Sequence, residues 1–213
     1  MRQCPVASRP ESRGVLPPLS VQLRTETRPA HVAVEALFAL EARLHNWITY
    51  ASLLVMLRDF YGPAEDALAR LRGWDQLRPS IDLHGRRRAG LIDDDLGVLA
   101  AAGVPALDAP DPVTCELGSL ADGLGCLYVL EGSALGGRIV ARRARLALGT
   151  GLPVAFFTGA GRSDLRATWS SLVRTIDTFG AQQPIGVRSA VVDAAQVAFV
   201  SLGDRLAFQG AMQ

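Results

Sequence analysis

Of the three histidines in the chain, at positions 31, 45 and 84, His31 has the setting best suited to chemistry. Glu35 follows at i+4, where on a helix its carboxylate can accept a hydrogen bond from one ring nitrogen. That contact fixes the tautomer and leaves the other nitrogen free for a metal. The competing reading is a histidine satisfied within an apolar helix face. Arg24 and Arg28 precede His31 by seven and three residues, and on a continuous helix they lie within about 10 Å of the ring at 1.5 Å per residue. His45 comes 14 residues later, close to four helical turns. Two histidines without a third ligand make a poor metal site, so His45 reads as a surface or core residue.

The second unusual feature is a set of glycines, Gly123, Gly125, Gly132, Gly136 and Gly137, inside a segment whose other residues favour helix. Each costs about 1 kcal/mol relative to alanine in a helix interior, so some other interaction must offset them. Gly125, Gly132 and Gly136 are spaced by seven and four, which leaves bare backbone near one face. Close helix packing of the small-xxx-small type explains this, and so does a flat, bulky ligand lying on the backbone. An axial imidazole, nearby guanidiniums and a facing wall of bare glycine backbone together meet the needs of haem, whose iron takes the nitrogen and whose propionates take the cations.

The elements that must hold these residues are helical. From Ser20 onward the apolar spacing follows the helical period, with no strict alternation long enough for a strand. Helices are expected over 47–60 and 64–71, divided at Gly62-Pro63, over 86–102 with Gly103 as C-cap, over 117–148, from an N-cap at Ser163 to Phe179, and over 185–208. Pro29 implies that the helix carrying His31 starts near Thr27 or bends there. The reading is an all-α, single-domain helical bundle over residues 19–213, preceded by a disordered leader over 1–18.

Composition sets outer limits. With 213 residues, 49% hydrophobic and 20% charged, the chain can bury a full core. Twenty-two basic against 21 acidic residues give a formal charge of +1, which argues against a nucleic-acid partner. All 22 basic residues are arginine. Charged residues or glycine interrupt every apolar run before about 18 residues, so no membrane span is expected. Cys4, Cys115 and Cys126 fit neither a disulfide framework nor a zinc site, and a reducing cytoplasm suits them. The Arg86-Arg87-Arg88 run reads as a solvated helix start able to receive an acidic redox partner. Trp47, Trp74 and Trp169 are expected to pack the core.

Two motifs carry a family resemblance. The segment 23–31 (LRTETRPAH) followed by Glu35, together with Tyr128-Val129-Leu130-Glu131-Gly132-Ser133-Ala134-Leu135-Gly136-Gly137, resembles the haem oxygenases, and most of all the bacterial branch associated with bacteriophytochromes. The stretch from Arg86 to Leu96, Phe156-Phe157-Thr158-Gly159 and Trp169 are similar to that branch as well, so the resemblance spans about residues 20–208. It implies an all-helical fold and the oxidative opening of haem to biliverdin, carbon monoxide and ferrous iron. The reaction would use O2 and electrons from a reductase or ferredoxin, and a bacteriophytochrome would be a candidate recipient of the biliverdin.

Carried over position by position, the resemblance makes His31 the iron ligand and Glu35 the acidic residue that steadies it, and places Arg24 and Arg28 near the propionates. Gly132, Ser133, Gly136 and Gly137 fall on the distal helix, where bare backbone lets the helix kink over the haem. Ser133 stands where the animal enzymes have aspartate, and its hydroxyl can hold a water but cannot serve as the acid. The alternative from the same residues is a haem-binding or haem-delivery protein that keeps the slot without the chemistry.

Overall fold

The computed structural model describes residues 16–107, 114–159 and 164–208. Eleven α-helices run in chain order: α1 (Leu19–Glu26), α2 (Arg28–Phe38), α3 (Leu40–Arg43), α4 (Trp47–Arg70), α5 (Leu83–Arg86), α6 (Ala89–Ala101), α7 (Leu120–Ala134), α8 (Gly137–Leu148), α9 (Ala155–Thr158), α10 (Leu165–Ala181) and α11 (Ile185–Phe208). No strand occurs among the described residues, and the fold is all-α as expected. Most of the expected leader, residues 1–15, lies outside the described residues, as does the expected N-cap Ser163. In its place Asp164 caps α10 by accepting a bond from the Arg166 amide at 2.9 Å.

The bundle is built around α4, α7 and α11, whose apolar residues face one another in a single core. One close approach needs a glycine. A Cβ on Gly125 of α7 would sit 2.4 Å from the Val191 carbonyl oxygen and 2.7 Å from the Ala195 amide nitrogen of α11. For Gly125, then, helix packing accounts for the missing side chain.

Three expectations about helix boundaries change. Residues 47–70 form one helix instead of two, with Pro63 inside it. Proline in a helix interior costs about 3 kcal/mol, but Phe60, Tyr61, Ala64, Ala67 and Leu68 are all buried around it, and that packing holds the helix together. The expected helix over 117–148 is instead two helices, α7 and α8, meeting at 41° beside Leu135-Gly136. The expected helix from Arg86 begins at Ala89 and ends as anticipated at Gly103, which takes φ +90°.

Helix α1 breaks into α2 at Thr27, where the Thr27 amide still bonds the Leu23 carbonyl and the His31 amide the Thr27 carbonyl, both at 2.9 Å. Pro29 falls in the first turn of α2, where its missing N–H costs little. Ser20 anchors α1 to α10 through Asp177, with its amide at 2.8 Å and its hydroxyl at 2.9 Å.

By length and mean hydropathy (1.4), the stretch Ile185–Ala207 could cross a membrane. It packs instead against α1, α2, α4 and α7. Its Arg188 is buried and donates to the carbonyls of Gly180 and Pro17, at 3.0 and 2.5 Å.

All three tyrosines of the chain, Tyr50, Tyr61 and Tyr128, have phenols pushed up by burial. The folded pKa lies above the unfolded one. Their contribution to stability is therefore full below about pH 10 and declines above it, because the unfolded chain loses protons that the folded chain keeps. The expected result is no tyrosinate absorbance at 295 nm near pH 10 while circular dichroism remains native. Above that pH, stability should fall by up to about 1.4 kcal/mol per pH unit for each phenol. A tyrosinate signal rising at pH 10 in the folded protein would contradict this.

Candidate functional site

A cavity of about 1070 Å³ opens between α2, the α7–α8 bend and α9, with Phe199 and Leu202 of α11 at its base. It reaches the upper end of the roughly 300–1,000 Å³ usual for small-molecule sites, which suits a large ligand. All eight sequence-derived residues, Arg24, Arg28, His31, Glu35, Gly132, Ser133, Gly136 and Gly137, line this one space. The α1–α2 junction supplies the first four and the α7–α8 bend the others.

His31 projects from the second turn of α2, and its side chain is 53% exposed, so it is not buried in the core. Its Nδ1 lies 3.5 Å from Glu35 Oε2, and the ring meets the Phe199 ring edge-on at 5.7 Å. Glu35 thus addresses one nitrogen, and Nε2 is left as the donor for a ligand. Arg24 and Arg28 are exposed at the cavity edge, and neither has an ion-pair partner among the described residues. His45 is exposed, and no cluster of three or more metal-ligating side chains occurs among the described residues.

The glycines of the bend divide by role. A Cβ on Gly136 would meet no atom within 4 Å, and one on Gly132 would make only ordinary contact with Trp169 at 3.6 Å. Gly136 leaves backbone bare toward open space, whereas Gly132 faces the Trp169 ring. Gly137 differs, because its Cβ would lie 2.3 Å from the Phe157 carbonyl oxygen. It lines the cavity too, but its lack of a side chain answers to the packing of α8 on α9. Asp95 of α6 fixes α9 in turn, accepting bonds from the amides of Ala155 and Phe156 at 2.8 and 2.9 Å.

Two further polar residues, which the sequence did not mark as site residues, line the cavity. Tyr61 of α4 is buried with its hydroxyl against Ser133 Oγ, and both hydroxyls reach the Leu130 carbonyl, at 3.1 and 2.8 Å. Two hydroxyl protons serve three contacts, so the pair can reorient. Tyr61 stays protonated because burial raises its pKa. Arg88 is 4% exposed, donates to the Phe156 carbonyl and stacks on the Phe156 ring at 4.7 Å. Its Nε and Nη1 have no hydrogen-bond partner, and the residue borders both this cavity and a smaller one of about 230 Å³. A buried cation with spare donors favours an anionic or strongly polar occupant.

The arginine run therefore departs from the solvated helix start expected of it. Arg86 is buried in an ion pair with Glu131 at 3.1 Å, with its side chain 6% exposed. Arg87 alone stays at the surface, bonded to Asp66 at 2.6 Å. No local pattern marks Tyr61 or Arg88 in the sequence, since α4 and the start of α6 reach the site only through tertiary packing. Trp47 and Trp74 pack against the core as expected, and Trp169 both does so and lines the cavity beside Tyr128, ring centroids 5.3 Å apart.

No protein-family model matches the sequence, and no curated protein matches it. Solved structures do. A haem oxygenase from Leptospira interrogans superposes with a TM-score of 0.70 at 18% identity, covering 90% of this chain and 100% of that one. Haem oxygenase-1 of the cyanobacterium Synechocystis, solved in complex with haem, gives 0.68 at 16% identity over 92% of this chain and 94% of that one. The Neisseria meningitidis haem oxygenase, solved with NO and CO bound, gives 0.68 at 15% over the same shares. The chain has the fold that these proteins share.

Proposed function

We propose that this chain is a haem oxygenase of the bacterial, bacteriophytochrome-associated type, opening haem to biliverdin, carbon monoxide and ferrous iron in the cytoplasm. One observation carries the reading: a single cavity joins His31, paired with Glu35, to a bend of bare backbone at Gly132 and Gly136. The donor set fits haem. It offers one imidazole with a free nitrogen, two guanidiniums without ion-pair partners at the rim, and a backbone surface where Gly136 leaves open space. Haem, when bound, supplies the iron redox chemistry and is itself the molecule oxidised.

The chain's residues bind and orient. His31 Nε2 ligates the iron, and Glu35 holds the ring's other nitrogen. Arg24 and Arg28 grip the propionates, their planar forks suiting carboxylates. Gly132 and Gly136 let backbone approach the reacting edge. The Ser133 and Tyr61 hydroxyls, both neutral at pH 7, hold and orient water and hand protons along hydrogen bonds without ionising. O2, an electron-donating reductase or ferredoxin, and a biliverdin-accepting bacteriophytochrome complete the proposed set of partners.

The test is hemin titration followed by turnover with a reductant in air and chromatography of the pigment. A Soret band and a biliverdin isomer are expected. Hemin returned intact would instead select a binding or delivery protein, and absence of a Soret band would exclude haem altogether. Within the same assay, Tyr61→Phe keeps the ring and removes the hydroxyl. It should leave hemin affinity unchanged and slow biliverdin formation about tenfold, the equivalent of one hydrogen bond. Equal rates would remove Tyr61 from the proposed relay.

A further inference from the structure

The Arg86-Arg87-Arg88 run joins α5 to α6, and its two buried side chains hold the elements that touch the α7–α8 bend. Beyond its own helix, Gly132 faces Trp169 of α10, whose ring atoms would lie 3.6 Å from a Cβ placed there. Arg86 ties the residues just before this pair: its Nη1 lies 3.1 Å from Glu131 Oε2, and its Nη2 donates to the Thr168 carbonyl at 3.2 Å. On the other helix of the bend, Gly137 abuts the Phe157 carbonyl of α9, and Arg88 donates to the neighbouring Phe156 carbonyl. Resting on the haem reading, we propose that Arg86 is a positioning residue that fixes the in-plane orientation of the tetrapyrrole, and with it the meso edge that is opened, by holding Trp169 against Gly132.

The axial bond cannot make this choice. Turning a porphyrin about the axis through its iron leaves the His31 contact unchanged and brings a different edge under the bend, so the walls and the rim must select the edge. Arg24 and Arg28 are exposed at the rim, where ion pairs are screened and long side chains move, and they give the weaker restraint. Trp169 lines the cavity beside Tyr128 and presents a rigid ring where Gly132 has no side chain. Its place depends on α10, and Arg86 bonds the backbone of α10 and a carboxylate of α7 at once. A buried ion pair adds little net stability, because lost hydration roughly cancels the attraction. What Arg86 adds is direction, since its planar fork addresses two acceptors in a fixed geometry. Lysine would keep the charge and lose the fork.

The experiment compares the full chain with Arg86→Lys, Glu131→Gln and Trp169→Phe, each loaded with hemin. Two readouts report orientation: the hyperfine-shifted haem methyl resonances of the ferric cyanide complex, which need no turnover, and the biliverdin isomers separated by chromatography. Arg86→Lys and Glu131→Gln should keep a Soret band, alter the methyl pattern and change the isomer ratio about fivefold to tenfold, because a wall displaced by less than about 1 Å suffices for a change of that size. Trp169→Phe should move both readouts too. Arg86→Lys combined with Trp169→Phe should go no further than Trp169→Phe alone, because the arginine acts through the indole. A lower thermal midpoint with the parent's methyl pattern and isomer ratio would overturn the proposal, making Arg86 a purely structural brace and leaving the edge to Arg24 and Arg28. If Arg86→Lys does not fold, Glu131→Gln, which keeps the shape and loses the charge, decides by the same readouts. A parent chain that binds no hemin would overturn the haem reading and this proposal with it. A parent that binds hemin without turnover would contradict the oxygenase reading alone, and the methyl pattern would still decide the role of Arg86.

Discussion

His31→Ala is expected to lower hemin affinity by about 100-fold or more and to abolish the Soret band of the ligated form, while thermal stability changes little. The two outcomes separate because the side chain is half exposed at the cavity wall and holds no buried contact beyond the edge of Phe199. Trimming an exposed side chain of this kind costs within about 0.5 kcal/mol. His31 is the one imidazole among the described residues lining the cavity, so the variant removes the proposed nitrogen ligand. Free imidazole added to the variant should restore much of the spectrum. Glu35→Gln should weaken binding by about tenfold at most, because that carboxylate is 67% exposed and 3.5 Å from Nδ1, which limits its hold on the ring. An unchanged hemin spectrum in His31→Ala would remove the ligand from the proposal and leave only the fold.

How much of this could be read from residue order depends on how local each signal is. The pairing of His31 with Glu35 is one helical turn, so spacing alone gave it, and the structure keeps both on one cavity wall. The break at Thr27 follows from Pro29, a local restriction on the backbone. The continuity of α4 through Pro63 does not, because burial of its neighbours outweighs the proline and burial is a property of the whole bundle. The places of Tyr61 and Arg88 in the cavity wall were illegible for the same reason: each reaches the site from a segment that only the packed fold brings to it. The arginines show the limit most clearly. Arg24 and Arg28 are exposed at the cavity edge, whereas Arg86 and Arg88, which read as solvated, are buried, Arg86 against Glu131 and Arg88 in the cavity wall. A residue's charge predicts its preference for water, but a carboxylate or a carbonyl at hydrogen-bonding distance can override it.

The glycines at the bend make the sharpest test, because two neighbours in sequence should respond in opposite ways. Gly137→Ala forces a Cβ to within 2.3 Å of the Phe157 carbonyl oxygen, a backbone atom that cannot swing aside as a side chain would. Either α8 or α9 must shift, and α9 is held by both amide bonds to Asp95. A loss of about 2–3 kcal/mol is expected, as for other overpacked sites, and would be read as a lower thermal midpoint with or without hemin. Gly136→Ala has no such neighbour, and its backbone, at φ −79° and ψ −14°, suits any residue. It should fold as stably as the parent, or slightly more so given the lower helix propensity of glycine. Gly136→Leu should also fold, but its side chain would enter the space beside the bare backbone, so hemin affinity should fall about tenfold or more while the apo-protein midpoint holds. If Gly136→Leu instead binds hemin like the parent, the open face at Gly136 is not part of the ligand slot, and the glycines of the bend serve only the packing of α8 on α9.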